Sequence, residues 1–509
     1  MFLLFAFVLI AFYLQTFNLQ IDDYRKYQAL ALNNTVKSKK IIAKRGVIKD
    51  RSGKILAGAG NEFYIGKNNE YKLYKRTYPY SQYTAHLLGY IRYPKTDKKG
   101  YLWRDKYEGV MGVEKSFDTL LSGENGEFLE EKDARFNSKL THKIKKAKDG
   151  QNLILSIDID LQKALHDTLL DGMKKSGFKG ASGAILDVKT GEVLALVNIP
   201  SFDPNKIMND IEYMKSVSKD GTILLNRATQ GLYTPGSIVK PFVALSALKE
   251  GIISPDKKIV STGALKIKSP YSDKYFIFRD WKTHGPVNMK EAIAYSSNEY
   301  FYQVGGGYKE QKGLGIERLY KYARLFGFGE KTGIELPESN GQIPNPKWKL
   351  ETFGEDWMLG DTYHTAIGQY GFLMTPVQAL RYVASIANYG QLLTPTIVKG
   401  KKGPVSKLPF SKAEFNVIHD GMRLAVLKGT AKALNIKGLE IAAKTGTAQL
   451  GKNNEFMNSW VVGFWSYKEP RFAFVAVLEK GKAGTSFGAA PTMRSFFEWL
   501  LQRKSEYVR

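Results

Sequence analysis

Apolar positions are spread unevenly along the chain, and their spacing divides it into three parts. Every residue from Phe2 to Leu14 is apolar, and apolar residues continue as Phe17, Leu19 and Ile21 between polar ones. A spanning helix needs about 20 apolar residues, so the run reaches that length only with its polar end counted. It has neither the basic leading region nor the small-x-small cleavage site of a secretory signal. Residues 1–19 are therefore expected to form an uncleaved single anchor, with the bulk of the chain outside. No Lys or Arg precedes the run, whereas Arg25 and Lys26 follow it, against the positive-inside rule. A cytoplasmic tail missing from the start of the sequence would account for that conflict.

Residues 20–158 are polar and broken into short pieces. Gly46-Val47-Ile48, the turn Asp50-Arg51-Ser52-Gly53 and Ile55-Leu56-Ala57 predict a hairpin. Gly109, Gly112, Gly123 and Gly126 punctuate a helix and a turn. No nucleophile or metal site assembles here, so a structural or docking role is expected.

Near Asp158-Ile159-Asp160 the character changes, and residues 159–509 read as one larger domain. Leu161 to Leu170 has the spacing of an amphipathic helix. Gly183 to Leu186 and Glu192 to Val197 flank the turn Asp187-Val188-Lys189-Thr190-Gly191 as hairpin strands. A buried helix starts at Ser237, and another helical stretch runs from Glu291 to Gln303. Ile441 to Gln449, Ser459 to Trp465 and Arg471 to Leu478 predict an antiparallel meander, with Pro491 to Gln502 as a closing helix. Hairpin strands, an all-helical middle and late strands together predict an α+β fold, an antiparallel sheet packed by helices.

Composition narrows the class. With 24% charged and 13% aromatic residues the chain is globular and not disordered. It has no cysteine, which excludes disulfides and thiolate metal sites. The net charge of +26 admits nucleic acid or an anionic membrane surface as partner. The densest basic cluster, Lys143-Ile144-Lys145-Lys146-Ala147-Lys148, has no interleaved aromatics for base stacking. No helix-turn-helix, RNA-binding or zinc-finger pattern occurs either. A basic face near a membrane is favoured, and nucleic acid is not expected.

Candidate chemistry centres on Ser237. Pro235-Gly236 breaks the preceding chain, and an apolar run follows at helical spacing, which puts Ser237 in a first helical turn near free amides. Lys240 lies one turn on, and its side chain can lean back towards that hydroxyl. A lysine held dry and near other cations can lose its proton and act as base for the serine. The spacing alone says little, because Ser-x-x-Lys recurs at Ser176, Ser216, Ser246 and Ser254. An N-cap serine with a solvated lysine shows the same pattern.

Downstream partners change that balance. Ser296-Ser297-Asn298 supplies a Ser-x-Asn, and Lys-Thr-Gly occurs at Lys189, Lys331 and Lys444. The first copy is a hairpin turn and the second lies in a loop-like neighbourhood, whereas Lys444-Thr445-Gly446 leads into the strand meander. Ser-x-x-Lys, Ser-x-Asn and Lys-Thr-Gly together are the motif set of penicillin-recognising serine acyl-transfer enzymes. A peptide can add as an extra strand beside residues 444–447, where Gly446 presents no side chain to block it. Thr445, Thr447 and the Lys444 charge suit a terminal carboxylate. Ser296 can relay a proton between Lys240 and a leaving amine, and Asn298 can hold a substrate amide. The amides of Ser237 and Thr447 are candidates for an oxyanion hole. Taken alone, Ser296 and Asn298 would be helix-cap or helix-surface polars. The six histidines are scattered without a Gly-x-Ser-x-Gly elbow, which disfavours a Ser-His-Asp arrangement. Asp280 with His284 could be part of a metal site, but without a further clustered ligand they read as surface polars. No metal and no cofactor is expected.

On these motifs the chain resembles the elongation branch of the class B penicillin-binding proteins. Arg45 to Gly53 and Arg76 to Tyr90 resemble that family's pedestal segments, and Ser296 to Gln303 and Gly360 to Gln369 resemble its elongation branch more than its septal one. The resemblance implies the penicillin-binding transpeptidase fold with a helical subdomain, a dimerisation-type pedestal over 20–158 and a membrane anchor. It implies a single-pass inner-membrane protein with its bulk in the periplasm. Its pedestal would dock a membrane-embedded SEDS-type glycan polymerase and cell-shape scaffold proteins. It implies a D,D-transpeptidase that cross-links peptidoglycan stem peptides ending in D-Ala-D-Ala, with carboxypeptidase activity on the side. Ser237 would be acylated with loss of D-alanine, the acyl group would pass to an amine of a neighbouring stem, and β-lactams would trap the serine.

Two other classes compete. A serine β-lactam hydrolase or sensor would share the first motifs. The class A hydrolase form needs a glutamate four residues before an asparagine, and none lies between Asn298 and Lys444. A non-catalytic wall-binding scaffold would need none of them.

Overall fold

The computed structural model describes residues 1–28, 36–67, 69–132, 138–268 and 273–508. The opening apolar run is a helix, Phe2–Phe17, that continues as one wider turn over Asn18–Asp22. None of its residues is buried against the rest of the chain. At about 1.5 Å per residue, its 21 residues extend on the order of 30 Å. That matches the hydrocarbon thickness of a bilayer, so the helix is compatible with a single-pass anchor.

In the pedestal, Gly126–Lys132 is the middle strand of a three-stranded sheet between Val36–Ile41 and Ser138–Lys145. The expected hairpin is present: Ile48–Lys49 pairs antiparallel with Ile55–Ile65, and Leu153–Ile154 adds beside it in parallel. Asp50 closes the turn by accepting from the Ser52 and Lys54 amides at 2.9 and 2.8 Å, and Gly53 takes the positive φ of +95° that the turn requires. The same hairpin touches the larger domain. The Arg51 amide donates to the Ile157 carbonyl at 2.9 Å, and Lys399 donates to the Arg51 carbonyl at 3.0 Å.

A buried ion cluster organises the pedestal interior. Glu114 accepts from Arg45 Nε at 2.6 Å, Arg76 Nε at 2.8 Å and the Tyr78 hydroxyl at 3.1 Å. Arg45 also reaches Asp118 at 2.8 Å, and Arg76 donates to the Gly46 carbonyl at 2.8 Å. Charges withdrawn from water are tolerated only when paired in this way. The cluster thus ties the Arg45 and Arg76 segments to the helix Gly112–Ser116.

The larger domain is built on five strands, β1 (Gly180–Asp187), β2 (Val193–Ile199), β3 (Ile441–Leu450), β4 (Phe456–Trp465) and β5 (Phe472–Lys482). Their order is β2-β1-β5-β4-β3, every neighbour antiparallel, as the meander and hairpin patterns predict. Alternation along β5 feeds two cores. Ala473, Val475 and Val477 face one core, and Phe472, Phe474, Ala476 and Leu478 face the other. The helices Ile159–Ser176 and Ala489–Arg503 cover the second face. The helices Lys240–Lys249, Pro376–Ala387 and much of Lys412–Leu427 pack on the first.

Two expectations for the middle of the chain are corrected. It is not all helical: Ile259–Ser261 pairs with Gly285–Val287, Ala264–Lys268 with Tyr275–Arg279, and Gln391–Leu393 with Val405–Lys407. These ladders are short and their partners lie apart in sequence, so local periodicity gives them little signal. The stretch from Glu291 to Gln303 is likewise not one helix. It is two, Met289–Tyr295 and Asn298–Gly306, broken at Ser296, whose φ of +59° is left-handed.

Candidate active site

Ser237 sits on a single 3-10 turn, Gly236–Val239, that leads into the helix Lys240–Lys249. This turn is pressed against the free edge of the sheet. Gly236 has φ +57°, and a Cβ there would lie 2.6 Å from the Thr447 carbonyl oxygen. A Cβ on Gly446 would lie 2.7 Å from the Pro235 carbonyl and 2.8 Å from Ile238 Cγ2. Both approaches are closed to any side chain. Trp460 of β4 adds a hydrogen bond from Nε1 to the Thr234 carbonyl at 3.0 Å.

Lys240 is fully buried. Its ammonium nitrogen lies 2.8 Å from the Ser296 carbonyl, 3.3 Å from Ser296 Oγ and 2.7 Å from Asn298 Oδ1. These bonds tie the amine to the Ser296–Asn298 segment. Burial lowers its pKa to about 7, with the Asp280 carboxylate pulling the other way. The Phe301 ring lies 5.5 Å from the amine and helps to keep it dry.

Lys444 comes from the sheet edge and is also fully buried. It donates to Ser296 Oγ at 2.8 Å and to the Thr445 carbonyl at 2.8 Å. Its pKa falls well below the ordinary lysine value, chiefly through burial and then through Lys240. Ser296 Oγ thus stands between the two amines, within 3.3 and 2.8 Å of them. The left-handed break of the helix puts it there.

A cavity of about 1010 Å³ opens over this network, lined among others by Ser237, Ser296, Asn298, Thr445, Gly446 and Thr447. β3 is an edge strand, and among the described residues no strand pairs with its outer side. Such an edge can accept an extended peptide as a further strand. Thr445 Oγ1 bonds Thr430 Oγ1 at 2.6 Å, a partner that no sequence pattern flags. The other Lys-Thr-Gly copies lie elsewhere: Lys189 to Gly191 is the turn between β1 and β2, and Thr332 bonds Glu338 in a loop.

Asp280 and His284 are expected from the sequence to be surface polars, and the structure corrects this. Their side chains are 0% and 1% exposed, which decides against that reading. Asp280 accepts from Ser297 Oγ at 2.7 Å and from the backbone amides of Asn298 and Glu299, both at 3.0 Å. Among the described residues, no group of three His, Cys, Asp or Glu is placed to hold a metal.

Comparison with known proteins agrees with this architecture. Residues 181–498 match the penicillin binding protein transpeptidase domain, and residues 69–155 match the penicillin-binding protein dimerisation domain. The peptidoglycan D,D-transpeptidase MrdA of Acinetobacter baumannii is 35% identical over 470 residues, which is 85% of this chain and 67% of that protein. In three dimensions the chain is similar to penicillin-binding protein 2 from Helicobacter pylori in its complex with MreC. That match has a TM-score of 0.77 and 26% identity, covering 92% of this chain and 99% of the other. A chain of a peptidoglycan synthase complex that coordinates polymerization and crosslinking also matches, with a TM-score of 0.77 and 28% identity over 99% of this chain and 98% of the other.

Proposed function

The chain belongs to the class B penicillin-binding proteins, and from that premise we propose that it is a peptidoglycan D,D-transpeptidase of cell elongation acting through an acyl-enzyme on Ser237. One observation carries the reading: two buried lysines from different halves of the domain meet on Ser296, beneath a cavity that Ser237 and the free sheet edge line.

The chemistry follows from that arrangement. A stem peptide pairs with the β3 edge, its terminal carboxylate near Thr445, Thr447 and Lys444 and its backbone amide near Asn298. Ser237 Oγ attacks the carbonyl of the penultimate D-alanine while Lys240, held near pKa 7, takes the hydroxyl proton. The backbone amides of Ser237 and Thr447 receive the developing oxyanion. The bond to the terminal D-alanine then breaks, and Ser296 passes a proton from Lys240 to the departing amine. An amine of a second stem attacks the resulting ester, returns its proton through Lys240 and frees Ser237. Water in place of that amine gives carboxypeptidase activity. A β-lactam acylates Ser237 in the same way and stays.

The apolar helix would hold the protein in the inner membrane with its bulk in the periplasm. The pedestal would dock a SEDS-type glycan polymerase and cell-shape scaffold proteins, which the likeness to a chain solved with MreC and to one from a synthase complex supports.

Fluorescent penicillin tests the reading. Stable labelling of the wild type that is lost in Ser237→Ala is expected. Rapid turnover of the label would point to a β-lactam hydrolase, and no labelling of folded protein would point to a scaffold.

A further inference from the structure

Asp280 carries an inference beyond the motif residues. The helix Asn298–Gly306 begins just after Ser296, and the first amides of any helix lack partners within it. Here they are met from two sides. Ser297 Oγ, at the N-cap, accepts from the Tyr300 amide at 3.2 Å. The Asn298 and Glu299 amides are taken by Asp280, which stands 18 and 19 residues earlier in the chain. Asp280 Oδ2 also accepts from Ser297 Oγ at 2.7 Å, and Oδ1 from the Trp281 amide at 2.8 Å. This carboxylate is therefore wholly buried and fully bonded, and its charge sits at the positive end of a helix. The residues it grips flank the left-handed break at Ser296 and carry the Asn298 that accepts from Lys240.

We infer that Asp280 is a positioning residue for the acylation reaction, a remote carboxylate cap that fixes the turn holding Ser296 and Asn298 against Lys240. The inference rests on the proposed acyl-enzyme reading of the site. Neutral Asn at this position offers one acceptor and one donor where two acceptors are needed, so the turn loosens. Its charge also has a separable effect. Among the described residues the charged groups acting on Lys240 are Lys444, His284 and Asp280, and of these Asp280 is the anion that favours protonated Lys240. Removing it should make Lys240 lose its proton at lower pH.

The test is the rate of acylation by penicillin as a function of pH for wild type, Asp280→Asn and Ser297→Ala. In Asp280→Asn the plateau rate is expected to fall roughly ten- to a hundredfold. Its rising limb should move to lower pH, a shift that a merely structural role would not produce. Ser297→Ala keeps the charge and removes two bonds, the one to Asp280 and the one from the Tyr300 amide, so its plateau should fall several-fold with the limb in place. It keeps the inference testable if Asp280→Asn does not fold. Wild-type plateaus in both variants, or a lowered plateau in Asp280→Asn with the limb unmoved, would overturn the inference. If the wild type itself is not acylated, it is the underlying reading of the site that fails.

Discussion

Lys444 Nζ donates to Ser296 Oγ across 2.8 Å, although 148 residues separate them in the chain. One residue comes from the sheet edge and the other from the helical subdomain, so the site exists only where the two are packed together. Each gives the other a partner that burial would otherwise withhold.

Acylation by a β-lactam should therefore follow the protonation of Lys240. Only the neutral amine can take the Ser237 proton, so the rate should rise with pH through about 7 and then level off. Stopped-flow acylation across pH 5.5 to 9 reads this directly, in steps of roughly half a unit. Lys240→Ala should lower the plateau by about 10²- to 10⁴-fold.

Burying Lys240 should also cost stability near neutral pH. The unfolded chain keeps this group charged up to its ordinary 10.5, whereas the native group loses its proton near 7. Between those values the unfolded state binds more protons, so wild-type stability from this group rises with pH there. Lys240→Met should abolish acylation and yet unfold at a higher temperature than wild type at pH 7. That gap should narrow as the pH is raised, which thermal unfolding at several pH values would reveal.

Gly446→Ala should separate the serine turn from the sheet edge. Its methyl would fall 2.7 Å from the Pro235 carbonyl, so the strand or the turn must move. Overpacking of this kind costs about 1–3 kcal/mol. Denaturant titration should show that modest loss, while penicillin acylation falls far more.

Glu114→Ala should damage the pedestal and spare the chemistry. It leaves the Arg45 and Arg76 guanidinium groups buried, with 2% of each side chain exposed, and without their common carboxylate. Breaking a buried pair costs about 3–5 kcal/mol. Unfolding should show an early transition, with the acylation rate of the still-folded larger domain unchanged.

Removing residues 1–22 should move the protein from the membrane fraction to the soluble fraction, since its apolar helix has no other burial. Fractionation with penicillin labelling would show the shift with labelling intact.

Much of this was legible in the sequence, for identifiable reasons. The alternation in β3 to β5 feeds two cores at once, and that period survives in any local window. Lys240, Ser296, Asn298 and Lys444 could be singled out because each belongs to a short motif whose spacing is local. What was not legible depends on contacts between distant segments. The break at Ser296 looks helical in sequence, because the Asp280 carboxylate that takes the new amides lies outside any helical window. In the sequence Asp280 stands out only beside His284, and its burial has no signature there because nothing local marks a carboxylate as capped from afar. The Arg45–Glu114–Arg76 cluster is similarly invisible until three segments meet.

The measurement that bears most directly on the account is mass spectrometry of the intact protein and its peptides after exposure to a β-lactam. The account predicts one covalent adduct, on Ser237, absent from Ser237→Ala. An adduct at another residue, or folded protein that takes up none, would contradict it.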